Sequence, residues 1–246
     1  MSQELPMINY HGATDVGNVR TNNEDVFYIS EAWHYCLVAD GMGGAAAGEV
    51  ASQIFADTAK AVFTGHDGMS EENTIARVQT TFKLANDNIL KHVGRNPQYH
   101  GMGCTAELLA FTQESFIIGH VGDSRTYRLK SNMLEQLTKD HSMVQDQLDK
   151  GLITPKEARR HLMRNVILRA IGVSDTVALD ILKGKKKPGH LFLLCSDGLT
   201  DMIEESDMLA ILCAEGTLDE KTNALIQQAK QAGGKDNVTA VLSAIG

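Results

Sequence analysis

Cysteine is scarce in this chain and never clusters: Cys36, Cys104, Cys195 and Cys213 stand far apart, with no CxxC pair among them. That spacing argues against a structural zinc site or a disulfide framework. Cys36, Cys195 and Cys213 lie in or beside apolar runs, where a cysteine usually behaves as a small buried hydrophobe in a reducing compartment. Prolines are equally few, four in 246 residues, and no internal repeat or low-complexity segment is visible. No apolar run approaches the ~20 residues that a membrane-crossing helix needs. The opening stretch, MSQELPMINYHG, lacks a charged start followed by an apolar segment. The expectation is therefore a cytoplasmic protein without a signal peptide. Basic residues are outnumbered 23 to 31, a formal net charge of −8, which excludes the cationic face of a nucleic-acid binder. Aromatic or basic stripes for a single strand are missing too. A nucleotide loop is also absent: Gly41-Met42-Gly43-Gly44-Ala45-Ala46 does not match GxGxxG, and no GK[ST] occurs.

What is present is an ordinary globular balance of apolar and charged residues, with enough length for one large domain spanning 1–246. Runs rich in Val, Ile, Phe and Tyr, bounded by Gly, Asp and Ser, predict strands at 26–30, 35–39, 106–111, 116–121, 126–129, 190–195 and 238–245. Helical periodicity marks 48–63, where Val50, Ile54, Thr58 and Val62 recur every four residues beside Ala51, Phe55 and Ala59. Further helices are predicted at 71–92, 205–213 and 219–232, the last stopped by Gly233-Gly234. Strands that follow one another through short turns, with helices in separate blocks, suggest an α+β layered protein with antiparallel sheets. The polar stretch 141–172 reads as a surface insertion of short helices. Lys183–Lys187, broken by Gly184, reads as a solvated turn between strands.

Five aspartates abut the strand-like runs: Asp25, Asp40, Asp123, Asp197 and Asp236. One such aspartate says little, because Asp commonly starts turns. Five could converge on one rim, where they would repel one another and partly protonate unless cations sat among them. Oxygen-only ligation suits Mg²⁺ or Mn²⁺ rather than zinc. Turn-forming aspartates and a metal site both remain open on spacing alone.

The motifs around these aspartates follow a recognisable order. They begin with Gly17-Asn18-Val19-Arg20, Asn23-Glu24-Asp25, Val-Ala-Asp-Gly-Met-Gly-Gly at 38–44 and Gly48-Glu49. Met102-Gly103-Cys104-Thr105, Val121-Gly122-Asp123-Ser124-Arg125 with Tyr127, Leu137-Thr138 and Asp140-His141-Ser142 come next. Asn165 to Gly172, Leu194-Cys195-Ser196-Asp197-Gly198-Leu199 and Gly233-Gly234-Lys235-Asp236-Asn237-Val238-Thr239 complete the series. In this order, through nearly the whole chain, the sequence resembles the metal-dependent protein serine/threonine phosphatases of type 2C, in their compact bacterial form.

The resemblance implies an α-β-β-α sandwich of two antiparallel sheets flanked by helices, with the site at one edge and 141–172 as a flap-like insertion. It implies hydrolysis of phosphoserine and phosphothreonine by direct attack of a metal-bridging water, with two Mn²⁺ or Mg²⁺ ions and a third, weaker one. Asp40 would bridge two ions, Asp197 and Asp236 would complete the first, and the Gly41 carbonyl and Glu24 (through water) would serve the second. Asp123 would hold the third, sharing it with Asp197. Arg20 would grip the substrate phosphate, and Asp25 would orient or deprotonate the water. Asp201 would reach metal waters or simply cap a helix start, and His141 reads as a structural hydrogen-bonding residue. Phosphorylated proteins, the products of a serine/threonine kinase, are the implied partners of a monomer that binds neither nucleic acid nor membrane. Other outcomes are a weakly active phosphoprotein-binding member of the fold and a phosphomonoesterase for small esters. The chain departs from its relatives at Met42 and Ala45, where histidines are common, and at Cys104, where threonine is usual.

Overall fold

The computed structural model describes residues 7–43, 47–65, 70–158 and 161–246. Eleven strands among them build two antiparallel sheets. The first has the order β1 (Ile8–Asp15), β11 (Val238–Ile245), β10 (Leu191–Cys195), β7 (Arg125–Lys130) and β8 (Met133–Gln136). The second runs β2 (Asp25–Ser30), β3 (Tyr35–Met42), β5 (Ala106–Phe111), β6 (Ser115–Val121) and β9 (Asp180–Lys185), with the short β4 (Gly103–Cys104) on β3.

Alternation along each strand explains the layering. On β3, Cys36 and Val38 face the other sheet, where they meet Phe192, Leu194 and Val241, while Leu37 and Ala39 face outward. The outward residues are covered by α1 (Ala47–Phe63) and α2 (Glu71–Arg95), through Ala51, Phe55, Ala59, Val78 and Phe82. The first sheet is covered likewise by α5 (Asp197–Thr200), α6 (Glu205–Cys213) and α7 (Leu218–Gln231). Sheets packed on both faces read in sequence as unbroken apolar runs, as in LFLLC at 191–195. Each fully buried Leu or Phe of these layers contributes roughly 1.5–3 kcal/mol.

Caps set the helix ends. The Ser70 hydroxyl accepts from the Asn73 amide, and Thr217 with Glu220 forms a reciprocal capping box. After Gln231 the chain turns through Gly233 (φ +135°) and Gly234 (φ +52°), whose amide reaches back to the Ala229 carbonyl. No helix among the described residues is long and apolar enough to cross a membrane.

Two expectations need correction. Lys183–Lys185 belong to β9, an edge strand, and only Lys186 and Lys187 lie in the turn that follows. The strand pairs on one side alone, so its half-polar pattern and lysines suit an edge rather than a loop. Gly184 is required there because a side chain would run into the Phe116 ring, 2.6 Å from the position of its first carbon. Cys213 is exposed at the end of α6, unlike the buried Cys36, Cys104 and Cys195, and all four thiols are free. The predicted edges of the sandwich also omitted β1, β8 and β9, whose mixed polarity hides their period.

Between β8 and β9 the chain leaves the sandwich over 141–172. It forms α3 (Met143–Asp149) and α4 (Pro155–Ala158), closes on itself through a single bridge at Ser142–Ile167, and rejoins the body through another at Cys104–Ile171.

Candidate active site

Register brings the aspartates together. Asp25 opens β2 directly opposite Asp40 near the end of β3. Asp123 follows β6 by two residues, Asp197 follows β10 by two, and Asp236 precedes β11 by two. These ends lie at one edge because Cys195 pairs with Ala240, Asp15 with Val238 and Ala106 with Val121.

The electrostatics register the crowding. Burial, then the charges of Asp25, Asp197, Asp123 and Asp236, hold the Asp40 carboxyl well above the usual range. Burial followed by Asp123 and Asp201 does the same to Asp197. Asp25 is pushed up to about 6 by burial, against the pull of two hydroxyl donors, and Asp123 to about 7 by burial and then Asp140. Asp123 Oδ1 is enclosed and has no hydrogen-bond partner at all. A buried carboxylate oxygen without a donor is costly, and a divalent cation relieves both this orphan and the mutual repulsion. The residues therefore fit hard divalent cations. Among the described residues no three carboxylate, imidazole or thiol side chains are gathered closely enough to enclose an ion unaided. Mg²⁺-like ions suit such a rim because they keep several waters and take only one or two carboxylates each.

Backbone contacts shape the floor. The Gly41 amide donates to the Glu24 carbonyl at 3.1 Å, and the Ser52 hydroxyl donates to the same oxygen at 2.6 Å. Gly41 and Gly48 are pressed together: a first side-chain carbon on Gly41 would lie 2.2 Å from the Gly48 carbonyl oxygen, and one on Gly48 would lie 2.5 Å from Glu24 Oε2. Glycine at both places is what lets the Glu24 carboxylate reach the Asp40 end of β3. Asp25 Oδ2 accepts from Ser196 Oγ at 2.7 Å and Thr239 Oγ1 at 2.6 Å, so it is a buried strand residue rather than a turn former. Arg20 stands at the rim, its side chain half exposed, donating through Nη2 to Asp236 Oδ2 at 2.7 Å.

The geometry invites comparison with known proteins. The protein phosphatase 2C family pattern matches residues 18–243. This chain belongs to the protein phosphatase 2C family. It is 36% identical over 239 residues to the serine/threonine phosphatase stp of Listeria innocua, covering 93% of this chain and 92% of that one. The serine/threonine phosphatase PstP/Ppp of Mycobacterium tuberculosis superposes with a TM-score of 0.91 at 35% identity, over 97% of this chain and 98% of that one. A structure of the PstP catalytic domain in complex with two manganese ions superposes with a TM-score of 0.88 at 34% identity, over 97% and 98% of the two chains. The family's sandwich of two antiparallel sheets, flanked by helices, is the fold found here.

Several residues of this phosphatase site carry no obvious sequence signal. Asn237 accepts from the Glu24 amide and donates to the carbonyls of Val16 and Asn22, tying the Arg20 segment to β11. Its place beside Asp236 in a motif was the only hint. Asp201 closes α5 at its C-terminal end rather than capping a helix start, and pairs with Arg164 of the 141–172 excursion at 3.3 Å. Arg125 holds Asp140 through two bonds of 2.8 and 2.7 Å. A cavity of about 550 Å³ opens beside Asp123 and Asp197, walled by the excursion on one side and by α5 and α6 on the other. Three residues before Asp123, the fully buried His120 of β6 faces the equally buried Glu107 of β5. Met42 lies at the β3 end against β4. Ala45 falls outside the described residues.

Proposed function

We propose that this chain, as a single catalytic domain, hydrolyses phosphoserine and phosphothreonine on proteins at the edge where Asp25, Asp40, Asp123, Asp197 and Asp236 meet. The observation that carries this reading is a set of buried carboxylates raising one another, with one Asp123 oxygen left unpartnered. Asp40, Asp197, Asp236, the Gly41 carbonyl and Glu24 would hold two Mn²⁺ or Mg²⁺ ions, and Asp123 with Asp197 a third. Bound there, the ions would supply an acidified water and neutralise the phosphoryl oxygens.

The remaining tasks fall to the chain's own groups. Arg20 lies at the solvent side of the site, where its planar fork can take two phosphate oxygens once it turns from Asp236. Asp25, fixed by two hydroxyl donors, sets the orientation of the neighbouring Asp40 across the β2–β3 pair. The cavity of about 550 Å³ beside Asp123 and Asp197 gives a phosphorylated side chain room next to these carboxylates. Neither Met42 nor Ala45 carries a transferable proton, so the leaving group is not served from those positions. The setting is a cytoplasmic monomer that acts on the products of a serine/threonine kinase.

Phosphate release from a phosphothreonine peptide, with Mn²⁺ and with excess chelator, tests the reading. Turnover is expected only with the metal. Full turnover in metal-stripped protein would overturn the site, and hydrolysis of small esters with none of the peptide would overturn the substrate class.

A further inference from the structure

The excursion 141–172 begins at His141, and that residue makes more directed contacts than any purely structural turn requires. Its backbone amide donates to the Gly122 carbonyl at 2.6 Å, and the Gly122 amide donates back to His141 Nδ1 at 3.1 Å. Gly122, directly before Asp123, is thus held at both its amide and its carbonyl by one residue. Gly122 itself has φ +114°, a conformation that side chains rarely adopt, and a side chain there would meet Thr105 at 2.4 Å. On the far side of the ring, Nε2 lies 3.2 Å from Asp180 Oδ2 on β9 and 3.1 Å from Arg169 Nη1, which also bonds Asp180 Oδ1 at 3.0 Å. The Leu168 amide, at the returning end of the excursion, donates to the His141 carbonyl at 2.7 Å. The ring also packs on His120, with centroids 4.4 Å apart.

These contacts define the tautomer. Nδ1 accepts from a peptide N–H, so the ring proton sits on Nε2 and faces Asp180. Burial and the neighbouring His120 charge push the ring down to about 4, in keeping with a neutral side chain. A neutral imidazole with both nitrogens engaged and almost no exposed surface is a poor proton donor to a leaving group. It is a good strut.

We propose that His141 is a positioning residue, which fixes the Gly122–Asp123 turn so that the Asp123 carboxylate stays aimed into the site against the repulsion of its buried neighbours. The need for such a strut follows from the unpartnered Asp123 Oδ1: nothing in the protein holds that oxygen directly, so its direction depends on the backbone that carries it. The inference rests on Asp123 as an ion ligand, and its test separates the two ideas.

Two variants divide the ring's functions. In His141→Asn the amide oxygen stands near the position of Nδ1 and can still accept from the Gly122 amide. In His141→Leu that acceptor is lost while the packing on His120 is kept. Hydrogen exchange of the Gly122 and Asp123 amides, measured without metal, is expected to quicken about tenfold in His141→Leu and to stay near the parent rate in His141→Asn. Calorimetric titration with Mn²⁺ should show the weakest site loosened by a similar factor in His141→Leu alone. On a phosphoserine peptide kcat should fall in that variant while KM stays within about twofold.

A His141→Leu protein with parental exchange and parental Mn²⁺ binding would overturn the proposal, and so would failure of His141→Asn to restore either. If His141→Leu does not fold, the exposed Arg169→Gln, which alters only the surroundings of Nε2, must leave Gly122 exchange unchanged; a rise there would overturn the assignment of the clamp to Nδ1. Asp123→Asn in the otherwise native chain reports on the ligand reading itself. An unchanged Mn²⁺ isotherm in that variant would refute Asp123 as a ligand, whatever the exchange data say about His141.

Discussion

Replacing His120 with leucine strips the cation from a carboxylate that cannot reach water. Glu107 and His120 are each 0% exposed and sit opposite each other on β5 and β6. Glu107 Oε2 accepts from Thr126 Oγ1 at 2.5 Å, and its other oxygen faces His120 Nδ1. His120 Nε2 points at the Lys139 carbonyl oxygen, 2.8 Å away. Both ring nitrogens therefore face oxygens, an arrangement that an imidazolium beside the Glu107 carboxylate satisfies. Burial alone would lower the His120 pKa, but the Glu107 charge prevails and the ring is pushed up to about 9. Glu107 itself is held above its ordinary range by burial, despite that partner. Breaking a buried pair by removing one member costs about 3–5 kcal/mol. In a chain of this size each kcal/mol moves Tm by about 2–4 °C, so His120→Leu should lower it by roughly 6–20 °C. Glu107→Gln should behave differently. Its amide can donate to a neutral His120 Nδ1, keep the Thr126 bond through its oxygen, and leave Nε2–H on Lys139, for a loss within about 1.5 kcal/mol.

The assay is thermal unfolding followed by circular dichroism, in chelator so that metal binding does not shift Tm. The pH dependence adds a second check. A histidine whose folded pKa lies above its ordinary 6.5 contributes stability that is complete below that value and fades as pH rises through about 9. The parent should lose this contribution progressively between about pH 6.5 and about pH 9, and the difference between parent and Glu107→Gln should shrink over the same interval. Equal Tm losses in the two variants, or a difference that does not change with pH, would refute the charged-pair reasoning.

Asp197→Asn should raise the Tm of the metal-free protein, because burial and neighbouring charges penalise this carboxylate when it is ionised; it should also cut kcat by about 10²-fold or more in Mn²⁺. A lower metal-free Tm, or near-normal kcat, would contradict it. Arg20→Ala should raise KM for phosphopeptides with a smaller change in kcat, and its exposed pair with Asp236 should change stability by less than about 1 kcal/mol. A collapse confined to kcat would make Arg20 a transition-state group instead. Asp123→Ala should slow hydrolysis of a phosphoserine peptide at least ~10-fold more than that of p-nitrophenyl phosphate, because serine leaves as a far more basic oxygen. Equal losses on the two substrates would show that Asp123 shapes the site without affecting the proton that reaches the leaving group.

Elements buried on both faces were legible from residue types alone. The runs at 106–111 and 238–245 appear where apolar content puts them, since burial selects those residues directly. On α1 the pattern was legible but not its inner face: Ala51, Phe55 and Ala59 point into the core, while Val50, Ile54 and Val62 flank it. The edge strands β1, β8 and β9 escaped notice, unlike β2, because a half-solvated strand such as β9 takes lysines without penalty. The five aspartates could be picked out by their position after or before apolar runs, which is a local property. Their meeting at one edge was decided by pairing between strands as distant in sequence as β1 and β11. The same holds for Glu107 and His120, each an isolated polar residue in an apolar run until register sets them face to face. For His141, the chain supplies only an imidazole after an aspartate. The return of the excursion past Leu168 and Asp180, closing over the Asp123 turn, determines which nitrogen accepts and which donates, because a tautomer depends on partners that only tertiary contacts provide.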